Sequence, residues 1–126
     1  MRLLLDTHVL LWWMFEHPRL TPDLKSLVAD ESNTILISSV SAFEITTKQA
    51  LGKLDAPDDL EAQVEASGFT ALPLTIGHGL AAGRLPLHHR DPFDRLLIAQ
   101  AHCDDLTLVT ANRKLLAYDV RRILVS

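Results

Sequence analysis

Short aliphatic runs alternate with amphipathic segments along the whole chain, and this alternation constrains the fold more than any other feature of the sequence. Runs rich in aliphatic and β-branched residues predict strands at 2–6, 34–38, 69–74, 106–110 and 122–125. Helical periodicity fills the intervals at 7–15, 22–31, 41–51, 58–67, 75–83, from 92 onward and at 113–117. Strands separated by helices favour parallel pairing with right-handed crossovers. We therefore predict an α/β fold with a mainly parallel central sheet of about four to five strands, flanked by helices.

Length and composition are those of one globular domain covering residues 1–126, with 48% hydrophobic and 22% charged residues. No apolar run approaches the roughly 18–20 residues of a membrane span, so we expect a soluble, cytoplasmic protein without a membrane partner. Cys103 is the single cysteine, which excludes an internal disulfide, and its apolar neighbours predict a small core residue.

The charge balance limits how the chain could bind nucleic acid. Twelve basic and sixteen acidic residues give a formal net charge of -4, which argues against binding by general neutralisation of phosphates. A cluster of carboxylates that binds divalent cations would nevertheless present positive charge to a phosphate. Whether the chain can bind nucleic acid through a metal ion therefore depends on where its acidic residues lie.

One acidic position lies at the start of a predicted helix. Asp91 followed by Pro92 is typical of an N-cap with proline at the first helical position. Helical spacing places Asp94 on the apolar face of this helix and turns Arg95 toward solvent. Alone, Asp94 is explained by the favourable interaction of an acid with the helix dipole.

Other polar residues follow the predicted strands at the edge where parallel sheets bind ligands. Asp6 ends the first strand, Glu44 lies one turn into the helix after the second, and Thr110 and Asn112 follow the fourth. Each acid also has a structural explanation. Asp6 would cap a helix, and Glu44 would form an exposed pair with Lys48 as well as a capping box with a serine three residues earlier, at position 41.

Together these acids predict a site for a hard cation. Two carboxylates about 4 Å apart repel each other by about 4 kcal/mol at an effective dielectric constant of about 20, so a proton or a cation must offset the repulsion. The histidines are scattered or adjacent and form no zinc pattern, and oxygen ligands favour Mg²⁺ or Mn²⁺. The sequence contains neither a glycine-rich phosphate loop nor a nucleophile elbow.

Four separated segments resemble the successive motifs of PIN-domain ribonucleases, and specifically the VapC-type toxins of bacterial toxin–antitoxin pairs. They are residues 1–8, residues 38–54 with the core Ser-Ala-Phe-Glu-Ile, residues 90–101 and residues 106–112. The resemblance covers nearly the whole chain in the family's order. It implies a PIN-like nuclease domain over residues 1–126.

The resemblance also implies a metal-dependent endoribonuclease in which Asp6, Glu44 and Asp94 are catalytic and bind Mg²⁺ or Mn²⁺. The family commonly has a fourth acid in a Thr-x-Asp motif, where this chain has Thr110-Ala111-Asn112. Asparagine carries no charge, so we expect a second metal ion to bind more weakly. Thr7, Thr110 and Asn112 are expected to support the site. The arginines expected to contact the RNA backbone are Arg84, Arg90, Arg95 and Arg113.

A VapC-type toxin would act on RNA as a homodimer and be held inactive by a cognate antitoxin. The apolar stretch from Val9 to Phe15 is either part of a protein interface or ordinary core. Because of Asn112, a second hypothesis is a catalytically weakened PIN-like protein that binds RNA or protein. A metal-dependent phosphatase is a weaker alternative, since the segment after Asp6 lacks the second aspartate of an Asp-x-Asp loop.

Overall fold

The computed structural model describes residues 1–125, which form a five-stranded, entirely parallel sheet. The strand order is β3-β2-β1-β4-β5, so β1 lies at the centre and β3 and β5 form the edges. The strands are β1 (Arg2–Leu5), β2 (Thr34–Ser38), β3 (Thr70–Leu72), β4 (Thr107–Thr110) and β5 (Arg122–Leu124). The predicted α/β fold with a parallel sheet is confirmed.

Helices connect the strands and cover both faces of the sheet. Within residues 1–125 they are α1 (Thr7–Phe15), α2 (Pro22–Ala29), α3 (Ser39–Ala50), α4 (Leu60–Ala66), α5 (Ile76–Arg84) and α6 (Pro92–Cys103), and a 3₁₀ turn covers Arg113–Ala117. The described part of the chain contains no helix long and apolar enough to cross a membrane.

The start of α3 differs from the prediction. The helix begins at Ser39 directly after β2, because the Ser38 hydroxyl oxygen accepts a hydrogen bond from the Val40 N–H at 3.0 Å. The predicted capping box between Ser41 and Glu44 is therefore wrong. Both residues lie inside the helix and are buried.

Alternating residues of β1 belong to two apolar layers. Leu3 and Leu5 belong to the layer that contains α1 and α2, whereas Leu4 belongs to the layer that contains α6. In α1, the residues from Val9 to Trp12 are buried and Phe15 is half exposed, so most of the apolar stretch from 9 to 15 belongs to the core. Cys103 is exposed, and the prediction of a core cysteine is wrong because it lies at the solvent side of the last turn of α6.

A buried amide fixes α6 relative to the strand ends. The Gln100 side chain is fully buried, and its Oε1 accepts a hydrogen bond from the Ser38 hydroxyl at 2.5 Å. Its Nε2 donates to the Pro73 carbonyl at 3.3 Å. Since Ser38 ends β2 and Pro73 follows β3, these bonds hold α6 in register with the carboxyl ends of both strands.

Candidate active site

Asp6 connects the centre of the sheet to α1. It follows β1 and is the N-cap of α1, where Oδ1 accepts a hydrogen bond from the Val9 N–H at 3.0 Å. Oδ2 accepts a hydrogen bond from the Thr110 hydroxyl at the end of β4. Only 5% of the residue is exposed. Burial raises the pKa of the Asp6 carboxyl, and the nearby Glu44 charge adds a smaller contribution in the same direction.

Glu44 extends from α3 toward the start of α1 and is also buried. Its Oε1 accepts a hydrogen bond from the Thr7 hydroxyl at 2.6 Å, and its Oε2 lies 2.6 Å from the Lys48 Nζ. The hydroxyl of Ser41 lies 3.0 Å from that of Thr7. The predicted pair of Glu44 and Lys48 exists, but the glutamate is buried rather than exposed, because α1 covers this side of α3.

Asp94 lies in the first turn of α6, close to the loop that precedes the helix. Its Oδ2 accepts a hydrogen bond from Asn112 Nδ2 at 3.3 Å and lies 2.7 Å from His89 Nε2. The side chain is one-fifth exposed. Burial raises the pKa of Asp94, and the charges of Asp91 and Glu44 raise it further.

Hydrogen bonds connect two of these acids, Asp6 and Asp94. Thr110 donates to Asp6, and its hydroxyl oxygen accepts a hydrogen bond from the Asn112 backbone N–H at 3.0 Å. The Asn112 side chain then donates to Asp94, so Asp6 and Asp94 are joined through Thr110, the last residue of β4, and Asn112, two residues later. Glu44 lies outside this chain of hydrogen bonds and is bonded to Thr7, the residue after Asp6.

His89 lies beside Asp94, a position that no sequence pattern predicted for it. One nitrogen of its ring and one carboxylate oxygen each from Asp91 and Asp94 lie within 4.8 Å of one another, and this is the only such group of three among the described residues. Asp6 and Glu44 lie outside that group. In the sequence, the sign of this contact is the position of His89, which stands two residues before the helix cap Asp91 and five residues before Asp94.

Asp91 has the predicted capping role. Its Oδ1 accepts hydrogen bonds from the backbone N–H groups of Phe93 at 2.9 Å and Asp94 at 3.1 Å. The Phe93 ring contacts the exposed Phe43 ring edge-on at a centroid distance of 5.9 Å. This contact holds the start of α6 next to α3, one residue away from both Asp94 and Glu44.

Arg95 is a correction to the predicted RNA contacts, because it is buried and does not face solvent. Nη1 donates to the carbonyls of Pro86 at 3.0 Å and His89 at 3.2 Å, and Nη2 donates to those of Ala82 at 2.8 Å and Leu85 at 3.0 Å. Its donors therefore shape the loop that carries His89 and are not available to a phosphate. The other predicted arginines, Arg84, Arg90 and Arg113, are exposed.

The donor set suits a hard divalent cation. The buried Asp6 carboxylate has only uncharged hydrogen-bond donors, a hydroxyl and a backbone N–H, as direct partners. The ligand atoms available from Asp6, Glu44 and Asp94 are all carboxylate oxygens, which Mg²⁺ and Mn²⁺ prefer. Among the described residues, the ligand atoms that lie within 4.8 Å of one another are those of His89, Asp91 and Asp94, and Asp94 is the member that this group shares with the three predicted acids.

Comparison with known proteins gives a consistent assignment for the fold. A family model described as PIN domain matches residues 3–121. No curated protein sequence matches the chain significantly.

Several solved structures share the fold at low sequence identity. VapBC2 from Rickettsia felis, bound to a DNA fragment from its promoter, contains a chain 20% identical with a TM-score of 0.74, and both chains are covered completely. DNA-bound VapBC from Salmonella typhimurium gives 20% identity and a TM-score of 0.69, with 98% of this chain and 97% of that chain covered. VapBC-5 from Mycobacterium tuberculosis, a member of the VapBC family of toxin–antitoxin systems, gives 22% identity and a TM-score of 0.60, with 98% of each chain covered.

Proposed function

This chain belongs to the PIN domain family, a family of nucleases, and we propose that it is a VapC-type endoribonuclease that acts as the toxin of a toxin–antitoxin pair. The observation that carries the proposal is the chain of hydrogen bonds from Asp6 through Thr110 and Asn112 to Asp94 at the carboxyl ends of β1 and β4, with the buried Glu44 close enough for its charge to act on both aspartates. Three buried or half-buried acids near one another are costly for a structural role alone. They are explained if the protein uses them to bind a cation and a phosphodiester.

Asp6, Glu44 and Asp94 would hold Mg²⁺, or Mn²⁺ in its place. The raised pKa values of Asp6 and Asp94, which come chiefly from burial, support this role, because a bound cation would compensate the charge of both carboxylates. A divalent cation bound there would supply Lewis-acid activation of water and would neutralise charge that develops on the phosphate.

The chain's own residues would orient the reactants. Thr110 holds the Asp6 carboxylate, Asn112 holds that of Asp94, and Thr7 holds that of Glu44. In the reaction the oxygen of water bonds to phosphorus, the bond from phosphorus to the leaving sugar oxygen breaks, and one proton of the water ends on that oxygen. The products are a phosphate monoester and an alcohol.

Exposed arginines would bind the RNA backbone around the site. Arg84 and Arg90 lie at the two ends of the loop before α6, and Arg113 follows Asn112 directly. Their solvent exposure leaves the guanidinium groups available for phosphate oxygens. We propose that this activity is cytoplasmic.

The similar structures suggest the partners. They contain VapBC, and one is described as a toxin–antitoxin system. We extend this description to the present chain and propose a cognate antitoxin that blocks the acidic site, and a homodimer as the form in solution. A reading frame for a small DNA-binding protein immediately upstream of the gene would support the assignment.

Metal-dependent cleavage of RNA tests the proposed function. Purified chain, free of antitoxin, is incubated with single-stranded and structured RNA, with Mg²⁺, with Mn²⁺ and with EDTA. Wild type should cleave only with a divalent cation. Asp6→Asn and Asp94→Asn should slow cleavage by at least about 10²-fold, the scale on which loss of one preorganised electrostatic group acts. Equal behaviour of wild type and both variants would contradict the nuclease assignment.

A catalytically weakened protein that binds RNA or a partner remains the second candidate function, and Asn112 is the observation that favours it. Its side chain donates a hydrogen bond to Asp94 where the family commonly has a fourth acid. If wild type binds RNA without cleaving it, and Asn112→Asp creates cleavage, the binding function is the correct one.

A further inference from the structure

Lys48 is the one basic side chain within ion-pair distance of the acids of the site among the described residues other than His89. We propose that its ammonium group permanently supplies one of the cationic charges of the site, so that this chain binds a single divalent ion where a four-acid site would bind two. This inference rests on the proposed nuclease function.

The contact of Lys48 with Glu44 is short and constrained by burial. Its Nζ lies 2.6 Å from Glu44 Oε2, while the Thr7 hydroxyl lies 2.6 Å from Oε1. Both oxygens of this carboxylate therefore already accept a strong hydrogen bond. The glutamate side chain is 4% exposed and that of the lysine 33%. The ammonium thus reaches the site from its solvent side and caps an otherwise buried charge.

The other acids of the site also act on Lys48. The hydrogen bond to Glu44 raises the pKa of Lys48, and the charges of Asp91 and Asp94 raise it further. The lysine therefore lies within the field of Asp94 as well as in contact with Glu44.

The charges of the site match one divalent ion. Asp6, Glu44 and Asp94 carry three negative charges when ionised, and Lys48 cancels one of them, so the remainder equals the charge of a single Mg²⁺ or Mn²⁺. Asn112 adds no charge and donates to Asp94. An aspartate at position 112 without a lysine would leave four negative charges, which suits two divalent ions.

This balance counts the three proposed ligands and Lys48; Asp91 is not counted because it is the cap of α6, although its charge also acts on Lys48. Its Oδ1 accepts hydrogen bonds from two backbone N–H groups at the start of α6, so its charge is already stabilised by the positive end of the helix dipole. His89, which contacts Asp94, is partly buried and forms no ion pair with Glu44 among the described residues. Among the proposed ligands and the residues that contact them, positions 48 and 112 therefore set the charge that this inference concerns.

Counting bound Mn²⁺ ions tests this inference directly. The full chain, free of antitoxin, is titrated with Mn²⁺ and the free ion is followed by electron paramagnetic resonance. Wild type and Lys48→Arg, which retains the charge, should each bind one ion per chain. Lys48→Met should bind a second ion, because it leaves the Glu44 carboxylate uncompensated.

Two further variants complete the test. Lys25→Met is the matched control, since it removes an exposed lysine that lies 3.9 Å from Glu16, and it should leave one bound ion. Asn112→Asp changes the charge of the site by the same unit as Lys48→Met without removing the lysine, and it should also admit a second ion. If Lys48→Met does not fold, the number of ions bound by Asn112→Asp decides whether the inference holds.

Cleavage gives an independent readout. The rate should rise with the first power of Mn²⁺ concentration in wild type and more steeply in Lys48→Met, because the second ion takes the place of the ammonium. Two ions in wild type, or one ion of unchanged affinity in both charge variants, would overturn the inference. Because ions are counted without RNA, a chain that binds one ion but cleaves nothing refutes the nuclease function and leaves the charge balance intact.

Discussion

At the scale of single residues, the buried carboxylate of Asp6 is expected to lower the stability of the protein. Asp6 is held by the Val9 N–H and the Thr110 hydroxyl, and no basic side chain forms an ion pair with it among the described residues. An ionised carboxylate in such surroundings is less stable than in water. The raised pKa of Asp6 has the same cause, because burial disfavours the ionised form of the carboxyl group.

The burial of this carboxylate predicts that Asp6→Asn stabilises the chain at neutral pH. A pKa raised above the ordinary value of 3.8 means that the folded chain binds the proton more tightly than the unfolded chain does. Stability therefore falls as the pH rises from about 3.8 through the raised pKa, and the loss persists at neutral pH. In EDTA at pH 7 the variant should gain on the order of 1 kcal/mol, the usual scale for relief of one poorly satisfied buried group, while it loses cleavage.

Urea denaturation at pH 7 and pH 4 measures this effect. The stabilisation should be largest at pH 7 and should shrink toward pH 4, where the wild-type carboxyl is increasingly protonated. Asp58→Asn, at an exposed position, is the control and should change stability little at either pH. A destabilised Asp6→Asn at pH 7 would show that the carboxylate is better compensated than its contacts indicate.

At the scale of secondary-structure elements, the start of α6 organises the site. Asp91 caps the helix whose first turn carries Asp94, and the Arg95 guanidinium of the same turn holds the preceding loop through its carbonyl groups. The loop in turn places His89 against Asp94. A substitution of Asp91 is therefore expected to move Asp94, a proposed metal ligand, through the backbone of the first turn.

Substitutions of Asp91 separate capping from metal binding. Asp91→Ala should cost about 1 kcal/mol of stability through loss of the cap and should weaken Mn²⁺ binding by loosening Asp94. Asp91→Ser retains a capping oxygen without the charge, and we expect it to restore both properties. Thermal unfolding and Mn²⁺ titration measure them. If serine restores stability but not Mn²⁺ affinity, Asp91 is itself a ligand together with His89 and Asp94.

At the scale of the whole molecule, the site joins elements that are distant in sequence. Asp6 follows β1, Thr110 ends the neighbouring strand β4, Glu44 comes from α3, and Asp94 comes from α6. An ion bound among the proposed ligands would stabilise only the assembled fold, because an unfolded chain does not present these ligands together.

A divalent ion should therefore raise the stability of the entire domain. At a Mg²⁺ or Mn²⁺ concentration about 100 times the dissociation constant, the gain is about 2.7 kcal/mol. Thermal unfolding with and without EDTA measures it as a shift in Tm that depends on ion concentration. Asp94→Asn should abolish most of the shift. If the Tm of wild type does not change with ion concentration, these acids do not form a metal site.

Much of the fold follows from local sequence patterns. The parallel sheet, the positions of its strands and the cap of α6 at Asp91 depend on hydrophobic periodicity and on hydrogen bonds between residues a few positions apart. The location of Asp6, Thr110 and Asn112 at one edge follows from the rule that parallel strands end on the same side. The amino-acid sequence by itself therefore determined the architecture and the list of acids.

The environment of each side chain was decided only by tertiary structure. Glu44 and Lys48 are one turn apart on a helix, as the sequence predicts. The tertiary structure buries the glutamate under α1 and leaves the lysine partly open to solvent. Arg95 occupies a helix face that periodicity assigns to water, yet α5 and the following loop enclose it with carbonyl groups. Periodicity describes a single helix face. Which element packs against that face, and hence whether a charge is solvated, paired or used, depends on contacts between segments far apart in the chain.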